Sequence, residues 1–154
     1  MTHTLETLER RLRILEDREA IRDLIARYGP LADRGDAGAL ARLWVPDGVY
    51  EVAGFARAEG HAAIAALIDG AHHRALMADG CAHMLGPVAV TLDGDEATAV
   101  CHSVVFRSVS GQFVAERVSA NRWTLVRTDQ GWRVQHRANA LLDGEDAARA
   151  LLSL

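Results

Sequence analysis

One titratable ring interrupts an otherwise apolar run, Cys81-Ala-His83-Met84-Leu-Gly-Pro-Val-Ala-Val90. Burying an unpartnered imidazole is costly. An adjacent carboxylate would orient the ring and raise its basicity, leaving the second nitrogen free to accept a proton near neutral pH. Read alone, a strand histidine such as His83 is more often a core residue hydrogen-bonded to the backbone than a catalyst. Asp33, in Tyr28-Gly-Pro-Leu-Ala-Asp33, is the carboxylate best placed to enter a cavity, and its plainer reading is a solvated or capping residue beside Asp36. Arg137 shares an expected strand face with Arg133, Gln135 and Asn139. That face is either solvated or presents a guanidinium to an anion or to developing negative charge. His102, on a face with Thr98, Val100, Val104 and Phe106, is a second pocket candidate. His72 and His73 point about 100° apart on a helix, so they cannot share a metal as an i, i+4 pair can. Both are expected at the surface.

Helices come first and strands after them. Apolar residues from Leu5 to Tyr28 recur at threes and fours, the spacing of an amphipathic helix, with a charged interval at 16–20 where one helix could give way to another. Asp36 can cap a short helix carrying Leu40, Leu43 and Trp44, closed by Pro46-Asp47-Gly48. A short strand is expected at 49–55 and an alanine-rich helix from Gly60 to Met77. Beyond Gly80, alternating runs punctuated by turn residues predict hairpin-linked strands at 82–92, 96–109, 112–128 and 131–142. The final residues predict a short helix over one end of the sheet. This order makes an α+β fold in which a strongly curved, mainly antiparallel sheet wraps the N-terminal helices around an internal pocket.

The chain has 154 residues, 49% of them hydrophobic, enough for one domain spanning 1–154. Its net charge of −4 offers no excess of positive charge for a phosphate backbone, so nucleic acid is not an expected partner. All 17 basic residues are arginine, which excludes lysine Schiff-base chemistry. Cys81 and Cys101 sit in apolar surroundings without metal-type spacing and read as reduced core thiols. No apolar run approaches membrane-spanning length and the N-terminus lacks a signal-peptide core, so the expected location is the cytoplasm, away from membranes.

The segments 15–50, 81–90 and 131–138 together resemble the SnoaL-like branch of the nuclear transport factor 2 (NTF2-like) superfamily, over nearly the whole chain. Within that branch they are similar to bile acid 7α-dehydratases and γ-hexachlorocyclohexane dehydrochlorinases, and more distantly to scytalone dehydratases. The resemblance implies a conical α+β fold and elimination chemistry without metal or organic cofactor. It assigns the base to His83, its orienting carboxylate to Asp33, a hydroxyl donor to Tyr28 and charge stabilisation to Arg137. Gly29 and Pro30 depart from the pattern between Tyr28 and Asp33, and the fixed φ of proline could turn the tyrosine differently. His102, Phe55, Met84 and Phe106 are the expected substrate contacts, in a pocket suited to a small apolar cyclic ligand such as a steroid, polyketide or aromatic compound. Two alternatives stay open, a binding or assembly module and an isomerase of the ketosteroid type. A homo-oligomer is expected, a dimer through the outer sheet face or a trimer, with Leu8, Leu12 and Leu15 either joining that contact or packing within the subunit.

Overall fold

The computed structural model describes residues 2–153, with side chains from residue 4 onward, so residues 1 and 154 of the expected domain lie outside it. Helix α1 (Thr2–Ala26) runs unbroken through the charged interval where a break was expected. Its second half carries Ile21, Leu24 and Ile25 into the core, while Leu5, Leu8, Leu12 and Leu15 in its first half stay exposed. The two halves meet at Asp17, whose carboxylate accepts from Nη1 and Nη2 of Arg127 at 2.8 and 2.6 Å and from Trp132 Nε1 at 3.1 Å. Those bonds tie the helix to the sheet, and the Arg127 guanidinium holds the Asp17 carboxyl below its usual value.

The chain turns at Arg27 into α2 (Tyr28–Asp33). Pro30 is accommodated because it lies in the first turn of the new helix, where backbone N–H groups have no intrahelical acceptor. Asp36 caps α3 (Ala37–Ala41) as expected, its Oδ1 accepting from the Ala39 N–H at 3.0 Å. The region expected as one helix over 60–77 is two, α4 (Gly60–Asp69) and α5 (Ala71–Asp79). Gly70 separates them, in an extended conformation with ψ 155°.

Seven strands form one mixed, curved sheet: β1 (Trp44–Val52), β2 (Ala56–Glu59), β3 (Cys81–Leu85), β4 (Ala89–Asp93), β5 (Glu96–Val109), β6 (Gln112–Thr128) and β7 (Gly131–Leu141). Their order is β2-β1-β7-β6-β5-β3, with β4 also paired to β5. Among the described strands only the β1–β7 pairing is parallel. The strand expected at 82–92 is divided into β3 and β4 by Gly86 and Pro87, since proline cannot donate to a ladder. β2 was not expected; its Ala-Arg-Ala-Glu sequence carries no strand signal. α6 (Asp146–Ala150) packs on β6 and β7.

Irregular register bends the sheet. Val105 pairs with Arg117 while Phe106 pairs with Ala115, so Glu116 is an extra residue on β6. Thr124 pairs with His136 while Leu125 pairs with Val134, so Gln135 is an extra residue on β7. Each bulge increases local twist. The concave face closes on α2, α4 and α5, and the core lies between them around Trp44, Trp123, Ile64 and Leu125.

Candidate functional site

The inner face can be read strand by strand. β3 contributes His83, β5 contributes Ser103 and Val105, and β6 contributes Arg117 from a row whose next inward positions are Ser119, Asn121 and Trp123. His83 pairs with Val105, and Val105 pairs with Arg117, so these three stand in one row across the sheet. The bulge at Gln135 reverses the alternation of β7. Trp132 and Val134 are buried before it, Arg137 and Asn139 after it. Arg137 therefore does not share a solvated face with Arg133 and Gln135, the arrangement a regular strand would give.

These residues bound a cavity of about 130 Å³ between the sheet and the helices. Tyr28, Tyr50 and Arg137 line its inner end with Asn139; Leu67, Ile68 and Leu76 of α4 and α5 supply apolar wall. Phe55 and Met84, both expected contacts, line it while remaining largely exposed. His102 and Phe106 do not line it. They alternate along β5 with Cys101, Ser103 and Val105, and His102 is exposed. A histidine in a strand can point to either face, and here the pleat turns it outward.

Asp33 ends α2 and reaches β3. Its Oδ1 lies 2.6 Å from Nδ1 of His83, and both of its oxygens lie 3.0 Å from the His83 backbone N–H. The ring thus donates through Nδ1, and Nε2 is left without a hydrogen-bond partner among the described residues, on a side chain lining the cavity. Burial lowers the His83 pKa. Asp33 acts in the opposite direction without prevailing, and the nearby His73 and Arg137 add to the lowering. His83 is consequently neutral at neutral pH and able to take a proton.

The close approach of α2 to β3 depends on Gly29. A Cβ at that position would stand 2.2 Å from the His83 carbonyl oxygen. His73 is the site residue that helical spacing misplaced. It is buried rather than at the surface, donates from Nε2 to the Ala32 carbonyl at 2.8 Å, and stacks its ring 5.3 Å from that of His83. Of the adjacent pair only His72 is exposed, beside Phe55 with ring centroids 5.5 Å apart.

Tyr28 lies at the inner end, its hydroxyl 3.4 Å from that of Tyr50. Burial raises the Tyr50 pKa far above the phenol value, so that hydroxyl keeps its proton. The Arg137 guanidinium sits 4.1, 4.6 and 4.2 Å from the ring centroids of Tyr28, Tyr50 and Trp123. Its Nε and Nη2 donate to Asn121 Oδ1 at 3.1 and 2.7 Å, and Asn139 Nδ2 donates to the same oxygen at 2.9 Å. Asn121 in turn donates to Ser103 Oγ at 2.8 Å. Sequence reasoning passed over Tyr50, Asn121, Ser103 and Arg117, because alternation alone does not separate polar residues facing a cavity from polar residues facing water.

Asp33, Cys81 and His83 have ligand atoms within 4.8 Å of one another, the one such group among the described residues. Asp33 Oδ1 and His83 Nδ1 are bonded to each other, and burial with the Asp33 charge keeps the Cys81 thiol protonated. The donor set suits a held proton better than a metal ion.

A helix-backed conical sheet enclosing a polar-ended cavity defines the fold class. The chain belongs to the SnoaL-like domain family, whose model matches residues 13–138. Among solved structures, an NTF2-like protein with a cystatin-like fold from Novosphingobium aromaticivorans is 71% identical and superposes with a TM-score of 0.96, covering 97% of each chain. Rv3472, a protein of unknown function from Mycobacterium tuberculosis, is 26% identical with a TM-score of 0.73, over 86% of this chain and 73% of its own. A Catenulispora acidiphila protein solved in complex with S-DNPA shares the fold at 21% identity and TM-score 0.72, over 84% of this chain and 96% of its own. No curated protein matches the chain. No helix among the described residues is long and apolar enough to cross a membrane.

Proposed function

We propose that this protein is a cofactor-independent lyase, a dehydratase or dehydrohalogenase, acting on a small cyclic substrate that is steroid-, polyketide- or aromatic-like. The observation that carries this reading is the 2.6 Å bond from His83 Nδ1 to Asp33. It fixes the tautomer, stabilises the imidazolium once formed, and leaves Nε2 at the cavity as the base. Nε2 takes a proton from carbon. The electrons of that C–H bond form the new double bond, and the leaving group departs with the bonding pair of its own bond to carbon, either as halide or as hydroxide that takes the proton His83 has received and becomes water. Tyr28 donates a hydrogen bond to a carbonyl or to the departing hydroxyl, and the Arg137 charge lies behind it through the ring contact. Phe55 and Met84 frame the entrance. Neither metal nor organic cofactor has a step to perform.

The test is to incubate the protein with cyclic hydroxy- and halo-compounds in deuterated water and follow each by NMR. Loss of water or halide from wild type but not from His83→Gln supports the lyase. Deuterium exchange with a shifted double bond and no leaving group makes the protein an isomerase. Binding without exchange or elimination overturns the base role and leaves a binding module.

A further inference from the structure

Two arginines on the cavity wall have no carboxylate partner among the described residues. Solvent-facing Arg27, Arg34, Arg57 and Arg149 each pair with a carboxylate. Arg137, 2% exposed, hydrogen-bonds only to the neutral Asn121, and its buried Nη1 has no partner among the described residues. Arg117 is half-buried and donates only to Ser119 Oγ at 3.2 Å and Asn139 Oδ1 at 3.0 Å, again neutral groups. Burial and the neighbouring Arg137 charge both lower its pKa. Among the described residues no carboxylate comes within ion-pair distance of either. The one acidic residue on the cavity wall, Glu116, lies 3.3 Å from Arg107.

Withdrawing a guanidinium from water without a counter-charge is costly. The fold accepts that cost in full at Arg137 and in part at Arg117, at one end of one cavity, which leaves a standing positive potential there. We infer that the ligand is not simply apolar but carries an anionic group, a carboxylate, received by Arg117 on the row that also bears His83. The inference rests on the elimination reading and adds the class of substrate to it, a cyclic carboxylic acid.

The geometry suits such a molecule. His83 and Arg117 stand on strands two apart in direct register through Val105, so their backbones lie about 10 Å from each other at ordinary strand spacing. A ring system fills the interval against Val105, with its acid group on Arg117 and a C–H bond at Nε2 of His83. Arg117 can offer the planar fork that carboxylates accept, because Asn139 and Ser119 occupy only Nη2 and Nε. Arg137 lies deeper, at the inner end beside the rings of Tyr28, Tyr50 and Trp123, and adds to the positive field there.

The experiment is a binding comparison of 2-naphthoate with 2-naphthamide, equal in shape and different in charge, by calorimetry at neutral pH and low salt. The expected result is a preference for the carboxylate of about tenfold or more, the scale of one charge-assisted pair. It should shrink towards parity in Arg117→Gln and be partly kept in Arg117→Lys. Equal affinity for acid and amide in wild type overturns the inference. A preference undiminished in Arg117→Gln overturns the role of Arg117, and if that variant does not fold, an undiminished Lys variant showing no weakening of the bidentate pair does the same. These outcomes are read from binding alone, so they stand or fall separately from proton abstraction.

Discussion

The Asp33 carboxylate holds His83 at two places at once, the ring nitrogen Nδ1 at 2.6 Å and the backbone N–H at 3.0 Å. A residue fixed by both its main chain and its side chain has little freedom to tilt, so Nε2 keeps one direction into the cavity. Asp33→Asn removes the main influence that raises the His83 pKa. The ring should titrate lower still in the variant, with its tautomer released, and elimination should fall by about a hundredfold to ten-thousandfold. An NMR titration of the His83 ring in both proteins measures this. Identical titration curves would mean that the pair is not coupled.

The same lowering sets a pH dependence of stability. With the folded pKa of His83 below its ordinary value of 6.5, the unfolded chain binds more protons between the two values. The contribution is therefore fully present above about pH 6.5 and is lost as the pH falls through the folded pKa. Thermal melts of wild type and His83→Gln across this range should converge as the pH drops, because the variant has no proton to gain. Asp17, whose carboxyl is held below 3.8, loses its own contribution at more acid pH and so does not confuse the comparison. Activity should show an acid limb in the same window, since only the neutral ring is a base. Activity that stays flat across the pH range in which NMR shows the His83 ring taking up its proton would remove His83 from the chemistry.

Gly29 gives a structural test of the pairing that leaves every polar group in place. The Cβ of Gly29→Ala would stand 2.2 Å from a backbone oxygen, which no rotamer change relieves. α2 and β3 must separate, and Asp33 and His83 move apart with them. We expect destabilisation of about 1–3 kcal/mol, the scale of overpacking, and a larger proportional loss of activity. Chemical denaturation and turnover measured on one preparation separate the two. Unchanged turnover in a destabilised protein would show that the contact supports folding alone.

The strands at 96–109 and 112–128 were legible to the residue, because long alternating runs end at Asp-Gly and Ser-Gly turns. The split of 82–92 could have been read from Pro87. The helix break at Gly70 could not, since an isolated glycine in a helical pattern is usually tolerated. Asp33, His83, Tyr28 and Arg137 were placed by resemblance rather than by local pattern, and all four lie within one neighbourhood. Local pattern failed where a single extra residue changes parity. Gln135 turns Arg137 inward, and no propensity marks it as a bulge. His73 failed for a related reason: of two adjacent histidines one faces in and one out, and only the approach of α2, with the Ala32 carbonyl in reach, decides which.

Leu5, Leu8, Leu12 and Leu15 do not pack within the subunit, the simpler of the two readings of that stripe; each is more than half exposed. Their spacing of three, four and three makes them successive a and d positions of a coiled coil. Arg11 then falls at g and Glu16 at the following e. In a parallel pair of helices these two face each other across the seam with opposite charge. In an antiparallel pair the e positions Glu9 and Glu16 meet instead, with like charge. A second copy of the chain, parallel along α1, is the partner this pattern fits. Four leucines per copy at about 1.5–3 kcal/mol each for full burial would supply enough apolar contact to hold two heptads when the globular parts also touch. Sedimentation of the full chain should give a mass above the monomer, and Leu12→Glu, exposed and remote from the cavity, should return it to the monomer without altering the His83 titration. A wild-type monomer at high concentration, or an oligomer indifferent to the glutamate, would assign the leucine face no part in assembly.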